Sequence, residues 1–498
     1  IPLVQVGALN SAEIPSEYVT DRGVDYYFRF TSGGDVLTVP EGGAEDPFHL
    51  RVDITGAQAA GTFSPSTYRM VSVPLELDNP QIEAVLDEYG PYNPTRWRVF
   101  RWDANRQVLD EHPDISDSFT PCVAFWLITS TGSEFSVDGG SSIDPSSQCG
   151  ASSLSFKPGW NQFGIPRAYP IDWEDVLKFG LLDDPVHFNA SVTGSDPYTY
   201  NVSTLVPWEG YWVNNPGTQD VQIRFQSIEA SGTADKQSSA LALLTHSGYA
   251  IQLVASIPQR RLVDEHNYLG FSMDASDGRD RMDFAEAPGI GSFVRLSLIE
   301  DDVRLAGNFK KFDLDGATWR FEVTAEIPDG IPLNGEYVRV KIRELLPRLQ
   351  SQEIYIINED EGRRVRPTAE SFSVSLTRER PVVRYRIIVG TPKYAAEISD
   401  GVALVPRSFA REQNYPNPFN PTTQIRYQLS EPSRVVIEVF NALGERTQTL
   451  VDSSQDVGWY EITWDGRDET GQSAASGIYF YRLRAGDVSL SRPMILLR

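Results

Sequence analysis

Three prolines in the stretch QNYPNPFNPTT, residues 413–423, restrict the backbone more than any other feature of this sequence. Pro416, Pro418 and Pro421 each fix φ and lack a backbone donor, so no helix can run through them. Each also biases the residue before it (Tyr415, Asn417 and Asn420) toward extended backbone. The spacing predicts a stiff, extended segment with Tyr415 and Phe419 as apolar anchors. Alternation follows at once: Ile425, Tyr427 and Leu429 stand between Gln424, Arg426 and Gln428, the pattern of a half-buried strand. Val435, Ile437 and Val439 predict a second strand over Arg434–Phe440, with a turn at Asn441–Gly444. Tyr460–Trp464, Gly477–Leu483 and Val488–Leu497 predict further strands. About six short strands in roughly 85 residues describe a small immunoglobulin-like sandwich.

The same region resembles a known family. NYPNPFNPTT at 414–423, IRYQL at 425–429, VFNALGE at 439–445, Leu450, the WDG at 464–466, SGIYFYRL at 476–483 and the closing MILLR carry the likeness in order. Together they resemble the C-terminal (type A) sorting domain of cargo exported by the type IX secretion system of Bacteroidota-type bacteria. The resemblance covers residues 409–498, and Arg411 stands where the family usually has a leucine. It implies a sorting motif of Asn414, Pro416, Asn417, Pro418, Phe419, Asn420 and Pro421. It also implies the type IX secretion machinery as partner, an outer-surface or extracellular location, and frequent removal of the domain after export.

Size and composition set the frame for the rest. The 498 residues suggest three or four domains. Aromatics at 11%, with 38 Gly and 33 Pro, point to a mainly β, turn-rich chain. The net charge of −24 is dispersed, which disfavours nucleic acid and anionic membranes as partners. The start at Ile1 reads as that of a processed chain or of a piece of a longer one, and no apolar run approaches the length of a membrane span. Cys122 and Cys149 are the only cysteines, an even count that suggests a disulfide in an exported chain. Closing a loop of 149 − 122 = 27 residues stabilises by roughly 3 kcal/mol on the loop-entropy account.

In chain order, residues 1–65 read as a β region, incomplete or strand-donating, with extended segments at Ile1–Leu9, Asp25–Thr31 and Phe48–Thr55. Residues 66–228 read as duplicated β-α-β-β modules. Pro74 and Pro166 are 92 apart, Leu86 and Leu177 in two predicted helices are 91 apart, and Trp126 and Trp212 are 86 apart. The second predicted helix covers Asp172–Phe179. Residues 229–240 read as a linker, 241–395 as a β-sandwich or jelly roll, 396–412 as a second linker, and 413–498 as the sorting domain. The GWNQFGIP and PWEGYWV phrases also resemble modules found beside sorting domains in secreted surface proteins. The fold class is thus several β-sandwich or jelly-roll domains in tandem, with a few short helices.

Chemistry is scarce in this sequence. The five histidines lack metal-motif spacing, and no HExxH, G-x-S-x-G elbow, P-loop or paired-cysteine zinc motif occurs. The best candidate site is Asp274, Asp277, Asp280 and Asp283 around Gly278. Four close carboxylates on a turning loop suit calcium, while Arg279 and Arg281 offer an ion-paired alternative. No other cofactor is expected. These observations predict a secreted, surface-exposed, non-catalytic structural or adhesive protein. In one form it is a filament subunit self-associating head to tail through residues 1–9. Two alternatives are the C-terminal accessory part of a larger secreted hydrolase, and a glycan-binding surface protein with exposed Trp on residues 66–228.

Overall fold

A computed structural model describes the chain except for residues 2, 7–8, 20–22, 33, 44–47, 63, 133, 144–148, 150–153, 190–195, 227–229, 231–246, 281, 328–336, 366, 368–369, 403–408 and 498. The chain is mainly β and forms two compact units. One holds residues 1–191 and 197–240, the other 192–196 and 241–498. The predicted linker at 229–240 lies almost wholly outside the described residues.

The first 62 residues form short hairpins. Ile1–Leu9 is not a single free strand, because Val4–Val6 turns back to pair with Leu9–Ser11. Phe28–Ser32 pairs with Asp35–Val39, and Val24–Tyr26 with Phe48–Leu50. The predicted strand Phe48–Thr55 breaks at Arg51. Its second part, Asp53–Thr62, pairs with Glu134–Ser141. The N-terminal region therefore lends a strand to the module that follows.

The two modules between 66 and 228 share one strand order. In the first, Val108–Glu111, Trp97–Asp103, Ala124–Thr129 and Arg69–Ser72 lie side by side in that order. In the second, Tyr198–Thr199, Val186–Phe188, Tyr211–Asn215 and Gly159–Phe163 do the same. The modules pack on each other through equivalent residues. Trp126 meets Phe188 at 4.8 Å between ring centroids, and Trp212 meets Trp102 at 5.2 Å. Both tryptophans and their partners are related by one offset, 212 − 126 = 86 and 188 − 102 = 86. The backbone repeats the exchange: Ser72 N–H donates to the Trp208 carbonyl and Gly164 N–H to the Cys122 carbonyl, both at 2.9 Å. Cys122 and Trp208, again 86 apart, both hold positive φ, 69° and 71°. A swapped set of contacts of this kind is what a pseudo-two-fold axis produces. It explains why Trp126 and Trp212 are fully buried.

One predicted helix is corrected. Ile82–Val85 is helical, but Asp172–Phe179 is not. Ile171–Asp172 and Leu177–Lys178 are short strands flanking a single 3-10 turn at Trp173–Asp175. Strand pairing to Thr204–Leu205 and Val221–Arg224 overrides the local pattern, and Trp173 and Val176 fill the core while Leu177 stays exposed. Cys122 and Cys149 are joined, with Cα atoms 5.4 Å apart, at the rim of this second core.

The second unit opens with one long curled sheet. Its path runs Arg363–Val365, Glu353–Asn358, Val382–Gly390, Gly316–Glu326, Phe293–Glu300, Val303–Lys311, Leu262–Ser272, Ser247–Ile257, Val338–Leu346, Ser371–Val374. Period-two alternation puts Tyr249, Ile251, Leu253, Ala255 and Ile257 inward from one strand, and Ala317, Trp319, Phe321 and Val323 from another. Phe372, near one end of the path, lies 5.2 Å from Tyr385, near the other. The sheet has folded over to close a single core. Two of its long strands, Leu262–Ser272 and Val303–Lys311, are not legible from sequence alternation. They pair in parallel and bury Asp264, Asn267 and Asn308, polar residues that mask a strand pattern.

Of the predicted linker at 396–412, the start completes the helix Pro392–Ile398, which packs Ala395 against Tyr355 and Ile388. Near its end, Ala410–Arg411 pairs with Gln428 and Tyr427. The C-terminal sandwich has two sheets: Ala410–Arg411, Thr423–Leu429, Gly458–Trp464 in one, and Arg446–Gln455, Ser433–Asn441, Gly477–Ala485, Val488–Leu496 in the other. Arg446–Gln455 lacks apolar alternation because it is an edge strand.

Candidate functional site

The proline segment is built into the C-terminal sandwich. Phe419 is 2% exposed and packs 5.6 Å from Trp464, itself fully buried with its indole N–H donating to the Arg467 carbonyl at 2.8 Å. Asn414 is also buried. Its Nδ2 donates to Thr423 Oγ1 at 2.9 Å and to the Pro416 carbonyl, and Thr423 Oγ1 donates to that same carbonyl at 2.8 Å. The Tyr415–Pro416 and Asn417–Pro418 peptide bonds are cis. Tyr415, expected as an anchor, is exposed, because Asn414 and Thr423 take up the interior position beside it.

The segment also runs alongside the closing strand. Gln413 Nε2 donates to the Pro493 carbonyl, Ile495 N–H to Asn417 Oδ1, Phe419 N–H to the Ile495 carbonyl, and Leu497 N–H to the Phe419 carbonyl, all at 2.8–2.9 Å. Val488–Leu496 is the edge of its sheet, with one row of backbone groups otherwise open. The segment covers part of that row. Its prolines then present few donors outward, so the covered edge cannot template another strand. Pro418, Asn420 and Pro421 remain exposed on this fastening.

The sandwich is held to the curled sheet by charge. Arg426 Nε donates to Glu461 Oε2 at 2.7 Å, and its Nη1 lies 3.5 Å from Glu361. Arg363 and Arg380 bond Glu361 from the other side, and Ser375 Oγ donates to Gln424 Oε1. Burial pushes the Glu461 carboxyl up against the pull of Arg426. At Glu361 burial acts in the same sense, but Arg363, Arg426 and Arg380 outweigh it and hold that carboxyl down.

The four aspartates do not share one centre. Asp280 Oδ2 accepts from Ser276 N–H and Oγ, and its Oδ1 from Met282 N–H. Asp283 is buried and accepts from Asp280 N–H and Phe309 N–H at 3.0 and 2.9 Å. Burial nonetheless pushes its carboxyl up to about 6. Asp274 and Asp277 are exposed, and Arg281 lies outside the described residues. Among the described residues, no three His, Cys, Asp or Glu come together as a metal centre would require. The described histidines each face a carboxylate: His49 with Asp25, His112 with Glu83, His187 with Glu209 and His266 with Asp196. Trp126 and Trp212, the tryptophans of the glycan-binding alternative, have no exposed face to stack on a sugar.

The model of the FlgD Ig-like domain matches residues 417–487, within the sandwich just described. No curated protein sequence matches the chain. Among solved structures, the chain is similar to PorZ, described as an essential bacterial surface component of the type-IX secretion system of Porphyromonas gingivalis. That match has 18% identity and a TM-score of 0.15, and covers 22% of this chain and 14% of PorZ. It is also similar to dimeric latent PorU from the same organism at 12% identity and a TM-score of 0.16, over 53% of this chain and 31% of PorU. The matches span less than a third of either protein, and at these scores they establish no shared fold.

Proposed function

We propose that this chain is a secreted, surface-exposed, non-catalytic structural protein, and that residues 413–498 are the domain by which a type IX secretion machinery exports it. The observation that supports this reading is how the motif residues are used. Asn414 ties the segment to Thr423, and Asn417 and Phe419 fasten it to the closing strand, while Pro418, Asn420 and Pro421 stay exposed on the same fastening. The machinery would then read a folded surface that presents both ends of the domain together, not a loose peptide tag. The upstream modules suit a passive load, since Trp97, Trp126, Trp212, Phe119, Phe125, Phe135 and Phe156 are spent on cores and on the contact between the two duplicated modules.

The test fuses residues 409–498 to a fluorescent protein in a bacterium that has the machinery. The fusion should reach the cell exterior, and a strain lacking the translocon should retain it in the periplasm. A folded fusion that stays inside the wild-type strain would overturn the reading. Turnover of any offered polysaccharide or protein by the purified 498-residue chain would overturn the non-catalytic part.

A further inference from the structure

Two sheet faces, at opposite ends of the sequence, expose apolar rows. On the N-terminal hairpin, Phe28 stands opposite Val39 and Phe30 opposite Leu37. Directly opposite residues share a face of the sheet, so these four side chains form one row. Phe30, Leu37 and Val39 are exposed by 42%, 62% and 39%. Tyr26 and Phe48 extend the row, their rings 5.9 and 6.4 Å from Phe28. Two strands alone have no second layer to cover such a face.

On the C-terminal sandwich, Ile478 stands opposite Ile495 and Phe480 opposite Pro493. Alternation sends Tyr479, Tyr481, Met494 and Leu496 into the core, and these four outward. Ile478, Phe480 and Ile495 are exposed by 53%, 40% and 39%, and Leu497 continues the row.

The charges beside the two rows are opposite. Next to the C-terminal row, Arg482 and Arg484 reach Glu438 at 2.9 and 3.0 Å, and Arg446 divides itself between Glu438 and Glu469. That is three guanidinium groups to two carboxylates on a chain of net charge −24. Around the hairpin, Asp25, Asp35 and Glu41 are exposed against Arg29. Like faces would repel, whereas unlike faces attract and match as two cross-strand pairs against two.

We propose that the Phe28/Phe30/Leu37/Val39 face of one copy packs on the Ile478/Phe480/Pro493/Ile495 face of a second copy. The contact is heterologous, so each added copy leaves one face of each kind open and the assembly grows head to tail. Each row is smaller than the ~800 Å² per partner of a stable complex, so association should be weak and concentration-dependent. The inference goes beyond the export reading and is tested on purified protein, where secretion plays no part.

The experiment is sedimentation velocity on the full chain, from about 1 to about 100 µM, the range in which a contact of micromolar strength titrates. Two variants are compared: Phe30→Lys with Leu37→Lys, and Ile478→Lys with Phe480→Lys. Thermal unfolding of each checks the fold, and Ile478→Ser with Ile495→Ser replaces the second if the lysines unfold it. The wild type should rise to at least roughly double its monomer mass, and fall back at high salt. Each variant alone should stay monomeric. Mixed, the two should form dimers and nothing larger, because each retains the face the other has lost. A wild type that stays monomeric, a variant that associates alone, or a mixture that does not pair would overturn the proposal.

Discussion

Replacing Phe419 with alanine tests whether the proline segment is structural. The side chain is 2% exposed, shares a core with Ile425, Val439, Trp464, Tyr481, Met494 and Leu496, and sits between two backbone bonds to the closing strand. Truncating a buried phenylalanine costs about 3–5 kcal/mol, the lost transfer energy plus the cavity left behind. A domain of this size is stable by roughly 5–13 kcal/mol, so a large fraction would go. Collapse around the site is limited, since Trp464 is fixed by its bond to the Arg467 carbonyl. Native-state hydrogen exchange read by mass spectrometry is the suitable assay, because it isolates this domain within the 498-residue chain. Amides in Thr423–Leu429 and Val488–Leu496 should lose protection by about a hundred-fold or more, at roughly 1.4 kcal/mol per tenfold. Strands of the curled sheet, such as Ser247–Ile257, should change little. Asn420→Ala, on an exposed motif residue, should shift the same amides by less than about 0.5 kcal/mol. If Phe419→Ala behaved like Asn420→Ala, the segment would be an appendage and its fastening to the closing strand would be wrong.

Other consequences follow from the same geometry. Trp126 Nε1 has no acceptor among the described residues, whereas Trp464 Nε1 donates to the Arg467 carbonyl. Trp464→Phe should therefore cost about 1 kcal/mol more in chemical unfolding than Trp126→Phe, since only the first removes a hydrogen bond. Arg426→Ala should destabilise by about 3 kcal/mol, because it removes the guanidinium that faces the buried Glu461 carboxylate. Adding Glu461→Gln should recover much of that loss, and a double-mutant cycle measures the coupling. Asp283 is raised in the folded state from 3.8 to about 6, so the fold holds a proton that the unfolded chain releases. Its contribution is present below about pH 4 and is lost as the pH rises to about 6. The melting temperature of the wild type relative to Asp283→Asn should accordingly fall across that window, and a constant difference would refute the assignment.

Strand positions in the C-terminal sandwich were legible because Ile425/Tyr427/Leu429 and Val435/Ile437/Val439 alternate without interruption. Arg446–Gln455 was not, since an edge strand with one wet face carries Thr, Gln, Asp and Ser in place of apolar alternation. The spacing of Trp126 and Trp212 disclosed a repeat, but a one-dimensional offset says nothing about which surfaces meet. The strand Leu262–Ser272 shows the same limit, because buried Asp264 and Asn267 look like loop residues until Asp264 is seen to accept from Leu296 N–H and Asn267 Nδ2.

The aspartate cluster was misleading for a related reason. Four carboxylates within ten residues suggest convergence, yet turn geometry sends Asp274 and Asp277 to solvent while Asp280 and Asp283 cap backbone amides. Local chemistry written along the chain (prolines that forbid helix, alternation that marks a half-buried strand) determined the β class and the C-terminal sandwich. Which buried groups found partners, which tryptophans met across a pseudo-two-fold axis, and which apolar rows were left uncovered depended on contacts between residues far apart in the chain. Those contacts arise only when the sheets close on one another, so only the tertiary structure decided them.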